Sequence, residues 1–240
     1  MQTTSDLYNE IIVGTHWFET KVEINDVPYG ESVLMSVSTN YRVFSESQPA
    51  VGGCLAAELE VRMLQPSETI PRMAKVRPYV RVKNSTKTSE WLPQGVFYID
   101  TREVTHNDSG LDILTLHCYD AMLKAEADYP STTTSFPKSD VDVVKEIAKT
   151  IGLQATISET TGIDSRTRTL MDKAYEVGLP VGYSMRETLG NIAAMYAGNW
   201  VMNYDGQLRL VTLAELPPET YYLIDSIFEP ITFGGDHILV

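Results

Sequence analysis

Three side chains with catalytic potential lie within four residues: His117, Cys118 and Asp120. A cysteine thiolate beside a histidine and an acid is the arrangement of a cysteine nucleophile with its base. The surrounding sequence LDILTLHCY alternates as a strand, however, and consecutive side chains of a strand point to opposite faces. Cys118 is therefore expected to share a face with Leu114 and Leu116, while His117 points away. Asp120 is expected to cap a helix formed by AMLKAEA, so the sequence predicts a strand-to-helix junction and not a nucleophile.

No other segment carries a recognised catalytic signature. The sequence has no phosphate-binding loop, no dinucleotide-binding glycine motif, no His-Glu-x-x-His and no nucleophile elbow. The acidic pairs Glu58/Glu60 and Asp108/Asp112 have the residue types that glycosidases use. Each pair falls on the polar face of a predicted strand or in a predicted turn, where solvated charge explains it. No catalytic site is predicted.

Metal and cofactor sites are not predicted either. Zinc sites require clustered ligands. The four histidines are scattered along the chain: His16, His106, His117 and His237. The two cysteines, Cys54 and Cys118, lie in apolar strand-like segments, and two buried free thiols are favoured over a disulfide in a chain made in the cytosol. A sugar-stacking platform of Trp17, Trp91 and Trp200 is a further interpretation, but aromatic residues are equally favoured in strands and at interfaces.

The first half of the chain, residues 1–130, is predicted to be antiparallel β structure. Alternating apolar and polar residues recur at strand spacing, with no helices between them, in segments 20–29, 54–64, 75–83, 95–104 and 111–119. The pair Asn25-Asp26 is typical of a hairpin turn. Pro78 has no N–H to donate, so its strand is predicted at a sheet edge or a bulge. This pattern favours an antiparallel barrel or a sandwich.

A linker rich in Ser and Thr separates this half from a segment of different character. Residues 138–215 are predicted to form a small α+β domain. One helix is expected to begin at the cap Ser139 and a second at Ser184, each followed by an acid three residues on. A hairpin with a two-residue turn at Asp205-Gly206 follows.

The ends of these helices and of the chain complete the predicted organisation. The first helix is expected to end at Gly152 and the second at Gly198. Residues 216–240 are again β-like but too short for a domain. They are predicted to start a second barrel or to return into the first sheet.

Charge and composition limit the functions open to this protein. The 240 residues carry a formal charge of −13, from 19 basic and 32 acidic side chains. Proteins that bind nucleic acids usually present a basic face, so tight binding of DNA or RNA is not expected. No apolar run reaches the ~18–20 residues that span a bilayer, and the N-terminus has no export-signal pattern.

Five segments together resemble one known family. They read AVGGCLAAELEVRML, IPRMAKVRPYVRV, SEWLPQGVFYIDT, LTLHCYDAMLKAEADY and SMRETLGNIAAMYAGNWVMNYDGQLRLV. In wording and order they are similar to the N-terminal part of tail-hub proteins from phages and prophages of Gram-positive hosts. Those proteins are related to the baseplate hub of contractile tails and to tail-associated lysins. The resemblance covers nearly the whole chain and includes no catalytic signature.

The resemblance implies a mainly β fold, in which a tail-tube-like antiparallel β-barrel is followed by an α+β domain. It implies a homotrimeric ring whose two barrels per chain give pseudo-six-fold symmetry, although the second barrel would require residues beyond Val240. Such a ring joins the tail tube or distal tail protein to the central spike or fibre. The location implied is the virion tail, assembled in the host cytoplasm. DNA would be passing cargo, and an acidic channel would let it slide.

A non-enzymatic structural hub is therefore the leading functional prediction, and its chemistry would be interface formation. The candidate interface residues lie on polar strand faces: Glu58, Glu60, Arg62, Arg77, Tyr79 and Arg81. Ordinary solvated strand faces explain the same residues equally well. Two alternatives remain open. One is a carbohydrate- or receptor-binding module of the tail tip that uses Trp17 or Trp91, and the other is the non-catalytic part of a tail-associated cell-wall hydrolase.

Overall fold

A computed structural model describes residues 4–44, 49–106, 110–130, 136–171 and 175–213, together with strand residues 232–233 and 236–237. Asp108 and most of segment 216–240 lie outside these described residues. After a short helix, α1 (Asp6–Ile12), eight strands form one sheet. Their bounds are β1 (Trp17–Ile24), β2 (Val27–Tyr29), β3 (Leu34–Asn40), β4 (Glu58–Leu64), β5 (Lys75–Lys83), β6 (Leu92–Pro93), β7 (Phe97–His106) and β8 (Asp112–Asp120).

The sheet is antiparallel and strongly curled, but it is not closed. Its strand order is β2-β1-β5-β7-β8-β4-β3, with β6 paired to β5. The terminal strands β2 and β3 follow each other in the chain, and the link between Tyr29 and Leu34 spans at most roughly 18 Å. The two ends of the sheet therefore lie near each other, although β2 and β3 do not pair within the described part of the chain. The predicted mainly antiparallel β class is confirmed, the sheet is open within the described part of the chain, and the barrel stays a prediction.

The concave side of this sheet holds the first hydrophobic core. Its buried strand residues are Val22, Ile24, Leu59, Val61, Met63, Val76, Phe97, Ile99, Leu114, Leu116 and Cys118. Each strand contributes alternate residues, as the period of two requires. Val22 of β1 and Val61 of β4 share one cluster although three strands separate them in the sheet, which is the consequence of the curl.

The predictions for the turn at Asn25-Asp26 and for the strand around Pro78 have different outcomes. Asn25 and Asp26 both have positive φ, 47° and 65°, and the predicted hairpin between β1 and β2 is confirmed. Of the two alternatives predicted for Pro78, a sheet edge or a bulge, the edge is wrong, because β5 has pairing partners on both sides. The Pro78 carbonyl accepts a hydrogen bond from the Gln94 N–H at 2.8 Å, on the side where the partner strand changes from β7 to β6. The side of Pro78 that lacks an N–H donor therefore faces the point where the partner of β5 changes from β7 to β6.

The second part of the chain mixes helices with short strands. A 3-10 helix (Ala121–Glu126) follows β8, at the position of the helix predicted over AMLKAEA, residues 121–127. The remaining elements are β9 (Lys138–Ser139), α2 (Asp140–Thr150), α3 (Ser165–Leu170), β10 (Glu176–Val177), α4 (Met185–Met195), β11 (Gly198–Met202), β12 (Leu208–Thr212), β13 (Thr232–Phe233) and β14 (Asp236–His237). Helices α1 and α3 were not predicted from the sequence.

The helix starts were predicted better than the helix ends. Ser139 caps α2 by accepting a hydrogen bond from the Asp142 N–H, and Ser184 forms a complete capping box with Glu187 on α4. Helix α4, however, ends at Met195, and Gly198 is already the first residue of β11. The loop from β11 to β12 is also longer than the two-residue turn predicted, because pairing stops at Met202 and resumes at Leu208.

A second core forms around α2, α4 and β11, and one segment of the first half of the chain contributes to it. Its fully buried large side chains include Trp200, Ile147 and Leu189. Residues 52–55, which precede β4, run parallel to β11: the Leu55 N–H donates to the Trp200 carbonyl at 3.1 Å. The two halves are therefore interlocked, and the boundaries proposed for domains 1–130, 138–215 and 216–240 stay predictions.

Candidate interaction surface

The outward positions of β1 and β5 form a ladder of charged and aromatic side chains. It consists of Glu19, Lys21 and Glu23 on β1 and Lys75, Arg77, Tyr79, Arg81 and Lys83 on β5. We name this ladder the basic face, because it contains five cationic side chains and two carboxylates. The register places Glu19 opposite Arg81 and Glu23 opposite Arg77, so each carboxylate of β1 faces an arginine of β5.

Both carboxylates of the basic face are held by cations. Glu19 accepts from Arg81 at 2.7 Å and from Lys83 at 3.2 Å, and Glu23 accepts from Lys21 at 2.6 Å. Partial burial works against ionisation of Glu19, but the hydrogen bonds from Arg81 and Lys83 prevail and hold the pKa of its carboxyl below the usual value. The acids are therefore ionised at neutral pH, and the excess positive charge of the face persists.

Aromatic rings order the cations of the same face. The Arg81 guanidinium carbon lies 4.2 Å from the centre of the Trp91 ring, and the Lys21 ammonium lies 5.1 Å from it. The Lys21 ammonium also lies 4.5 Å from the centre of the Tyr79 ring. Such cation–π contacts restrict long side chains that are otherwise free to rotate. The predicted residues Arg77, Tyr79 and Arg81 are thus adjacent members of one ordered ladder.

The other predicted residues, Glu58, Glu60 and Arg62, lie exposed on the outward side of β4. Register surrounds them with outward residues of three neighbouring strands: Ser36, Ser38 and Asn40 on β3, Thr115, His117 and Tyr119 on β8, and Thr101 and Glu103 on β7. We name these eleven residues the acidic face, because they include three carboxylates and a single arginine.

The acidic face is polar and loosely paired. The Asn40 amide donates to Glu58 at 3.2 Å, and His117 Nδ1 lies 3.6 Å from a Glu60 carboxylate oxygen. A shallow groove of about 270 Å³ lies over this part of the sheet, lined mainly by polar side chains. Short side chains such as Ser38 give it a flat floor, so this face offers charge and hydrogen-bonding groups with little apolar contact area.

The two faces lie apart on the molecule. In the sheet, β5 of the basic face pairs with β7 only through Lys75↔Tyr98 and Val76↔Phe97, at the start of β7 and before its acidic-face residues Thr101 and Glu103. Because the sheet is curled, its outer surface changes direction between them. The six predicted residues therefore form two groups of three and not one site.

His117 and Cys118, the residues of the possible nucleophile near the end of β8, lie on opposite sides of the strand. Cys118 is 1% exposed in the first core, whereas His117 points outward to Glu60. Burial raises the pKa of the Cys118 thiol to about 12, so the reactive thiolate does not form at neutral pH. The predicted strand-to-helix junction is confirmed, since Asp120 accepts from the Met122 N–H at 2.9 Å.

Asp120 also ties the two halves of the chain together. Its second carboxylate oxygen accepts from the Ala57 N–H at 2.7 Å, at the point where segment 52–55 leads into β4. Burial raises the pKa of this carboxyl to about 6 and outweighs the two backbone N–H donors, which favour ionisation. Asp120 is a buried structural acid.

The other chemistry considered from the sequence is not brought together. Trp200 is fully buried, the Trp91 ring is covered by Lys21 and Arg81, and Trp17 is 46% exposed, so the three tryptophans form no common platform. Among the residues that the structure describes, no three metal-ligating side chains cluster. Within the same ranges, no helix combines the length and apolar character needed to cross a bilayer.

Sequence reasoning missed the β1 half of the basic face. Glu19, Lys21 and Glu23 alternate with less polar residues, so a strand with one charged side was visible. What was missing was the pairing of β1 with β5, which lie about 60 residues apart in the chain. Trp91 gave no local signal, because its role depends on the nearby cations of both strands.

Comparisons with known proteins find similarity to solved structures of tail proteins. No protein-family profile matches the sequence, and no curated protein matches it. Among solved structures, the chain is similar to a 43 kDa tail protein of prophage MuSo2 from Shewanella oneidensis, with a TM-score of 0.54 and 10% identity over 87% of this chain and 59% of that one. It is also similar to a tail protein from Neisseria meningitidis MC58, with a TM-score of 0.52 and 10% identity over 84% of this chain and 53% of that one.

A third similarity is weaker and defines no shared fold. It is to the Francisella PdpA-VgrG complex, at a TM-score of 0.47 and 6% identity over 88% of this chain and 30% of that one. The chain spans somewhat more than half the length of the two tail proteins. At 10% identity the likeness is one of fold. The chain shares a mainly antiparallel β fold with these two tail proteins.

Proposed function

We propose that this protein is a structural component of a phage or prophage tail tip, a hub that links the tail tube or distal tail protein to the central spike or fibre. The observation that carries the proposal is the fold, which two tail proteins share over 84–87% of this chain. The sequence resemblance to tail hubs supports the same role. The homotrimeric state, the DNA-lining channel and the location in the virion tail belong to this proposal.

The chemistry of the described surface supports a role in assembly. The cysteine nucleophile is not formed, and the most conspicuous features are two charged sheet faces of opposite sign. Such faces act through contact with other protein surfaces. A non-enzymatic role for this chain is part of the proposal.

The overall charge supports a channel that DNA passes through without binding. A trimer would carry three times the charge of −13 per chain around its axis. A negative wall repels the phosphate backbone, so DNA would slide and not adhere.

An in-frame deletion in the phage or prophage that encodes the protein separates this role from its alternatives. If the protein is a hub, induced lysates will contain no complete tails by electron microscopy, and a plasmid copy will restore them. Gold-labelled antibody should then mark the tail tip. Complete tails that fail to adsorb would indicate a receptor-binding module, and complete tails that adsorb but do not open the cell wall would indicate a part of a lysin. Either result would overturn the hub.

A further inference from the structure

The second half of β7 has a backbone edge that the described chain does not cover. At its first residues β7 pairs with β5, and Ile99 exchanges backbone hydrogen bonds with Met73 at 2.9 Å and Ala74 at 3.1 Å. From Thr101 to His106 it pairs with β8 on one side, and no described strand pairs with it on the other. All six of these residues are exposed. We name residues 101–106 the open edge.

The backbone groups of the open edge point outward at alternate residues. In an antiparallel pair, residues that do not bond each other direct their N–H and C=O groups to the far sides of their strands. The Asp112 carbonyl accepts from the Gln65 N–H at 2.9 Å, on the β4 side, so the pair His106↔Asp112 is of this kind. By the same alternation, Arg102, Val104 and His106 present their N–H and C=O groups to the open edge.

A pocket of about 230 Å³ adjoins the open edge on the core side of the sheet. The buried side chains Ile70 and Leu114 belong to its lining, and Arg102 and Val104 of the open edge line it as well. When a peptide adds to a sheet as a strand, its backbone binds the edge and neighbouring pockets select its side chains. An open edge beside a pocket is the arrangement that such an added strand requires.

The side chains of the open edge define the kind of strand that fits. The Arg102 guanidinium donates to the Ile70 carbonyl and forms no ion pair within the described residues. Val104, on the same side, is 44% exposed, and Glu103 lies between them on the other side. Directly opposed side chains determine how well two strands pair. A matching strand therefore has an acid opposite Arg102, an apolar residue opposite Val104 and a cation opposite Glu103.

We infer that the open edge of β7 is a docking site for an extended segment of another tail protein, which adds to the sheet as an antiparallel strand. In chain order, that segment carries an apolar residue, a cation and an acid in succession. The inference rests on the proposed hub function, since the partner is a tail protein, and it adds the surface through which the hub holds that partner.

A second open edge from another copy of this chain does not meet these requirements. Two open edges paired antiparallel around Val104 would place Arg102 beside His106, and two paired around Glu103 would place two carboxylates together. Neither arrangement supplies an acid to Arg102. Inward-pointing charge is also a device by which edge strands avoid unselected pairing. Arg102 therefore favours a partner strand of different sequence.

Overlapping peptides of about 15 residues, covering the other tail proteins of the same phage or prophage, test the inference against the full chain. At least one peptide should bind, and its binding segment should contain the succession described. The variant Val104→Pro removes an outward N–H and leaves the bonds to β8 in place, so it should raise the Kd of that peptide by about tenfold or more in calorimetry. Urea unfolding checks that the variant is folded.

Charge reversal gives a second, independent test at the same edge. Arg102→Glu should also raise the Kd by about tenfold, and a peptide whose acid is replaced by lysine should bind this variant to within a few-fold of the native pair. This exchange carries the test if Val104→Pro unfolds the sheet. Restored binding would show direct pairing of the two side chains, which a general loss of structure cannot produce.

Thr39→Pro on β3 is the matched control. Thr39 is exposed on another free strand edge, and its N–H also faces away from the neighbouring strand, because its register partner Leu59 bonds to β8. This variant should leave the Kd unchanged. Amide hydrogen exchange followed by NMR should show that the bound peptide protects the N–H groups of Arg102 and Val104 and not that of Thr39.

Four results would overturn the inference: no peptide binds, neither open-edge variant weakens binding, protection appears at Thr39, or Val104→Pro abolishes association between copies of the chain itself. The last result, measured by sedimentation velocity, would assign the edge to a second copy. If the deletion abolishes tails while no peptide binds the open edge, the hub function stands and this docking site is wrong. If tails assemble without the protein, the hub function itself fails.

Discussion

At the scale of single residues, Asp120 shows how burial and hydrogen bonding compete. Its carboxylate receives two backbone N–H donors, yet burial raises its pKa to about 6 from the ordinary 3.8. Because the folded pKa is the higher one, the folded state binds a proton that the unfolded state releases between these two values. The contribution of Asp120 to stability is therefore present at low pH and lost as the pH rises through about 6.

The variant Asp120→Asn should remove this pH dependence. We expect the free energy of unfolding of the native protein to fall, because of Asp120, by at most about 1.4 kcal/mol per pH unit between about pH 4 and pH 6. The slope should be flatter in the variant, whatever its absolute stability. Urea unfolding at several pH values measures both, and Asp205→Asn, an exposed aspartate in a loop, is the control. Identical slopes for Asp120→Asn and the native protein would contradict the buried, proton-binding role.

The two thiols are predicted to be inert in the folded state. Cys54 and Cys118 are buried, and burial raises the pKa of each to about 12. A maleimide or disulfide reagent at about pH 8 should therefore label neither residue until urea unfolds the chain. Mass spectrometry after timed labelling gives the answer. Rapid modification of native Cys118 would reopen the interpretation of residues 117–120 as a reactive site.

At the scale of elements, α4 is held against segment 52–55 by a close backbone approach. The Gly52 carbonyl oxygen lies 2.6 Å from the position that a Cβ at residue 190 would take. That distance is too short for a real Cβ contact, so a glycine is required where α4 meets the crossing segment.

The variant Gly190→Ala should therefore destabilise the protein. Alanine in a helix normally adds up to about 1 kcal/mol of stability over glycine. Here the clash with Gly52 should reverse the sign and cost about 1–3 kcal/mol, measured by thermal or urea unfolding. Asn191→Ala, at the exposed neighbouring position, should be neutral or slightly stabilising. A stabilised Gly190→Ala variant would show that segment 52–55 does not pack on α4 as described.

The elements that the sequence predicts correctly are those with local causes. The caps at Ser139 and Ser184 and the hairpin at Asn25-Asp26 are each specified within four residues. The alternation of β4 and β8 likewise determines which side of each strand is buried. The strand edge at Pro78 was predicted wrongly, because the partners of β5 come from distant parts of the chain.

The candidate surfaces divide in the same way. The cations of β5 and the acids of β4 are visible as alternating residues, and these were predicted. Their grouping into two separate faces depends on strand order, and the partners of Arg81 come from β1 and from the region before β6. No pattern within either strand encodes those contacts, nor the joining of segment 52–55 to the second core.

At the scale of the whole molecule, the curled sheet carries two separate outer faces of opposite charge. The interlocked second core fixes the α+β half against this sheet through Asp120 and segment 52–55. The tail-protein fold and these faces together lead to the proposal of an oligomeric hub.

The absolute mass of the protein in solution, measured by light scattering across a concentration series, tests that proposal most directly. The account predicts a trimer or a monomer–trimer equilibrium: three chains of 26.8 kDa give a particle of about 80 kDa. A particle that remains at 26.8 kDa at every concentration and at low salt would contradict the oligomeric hub.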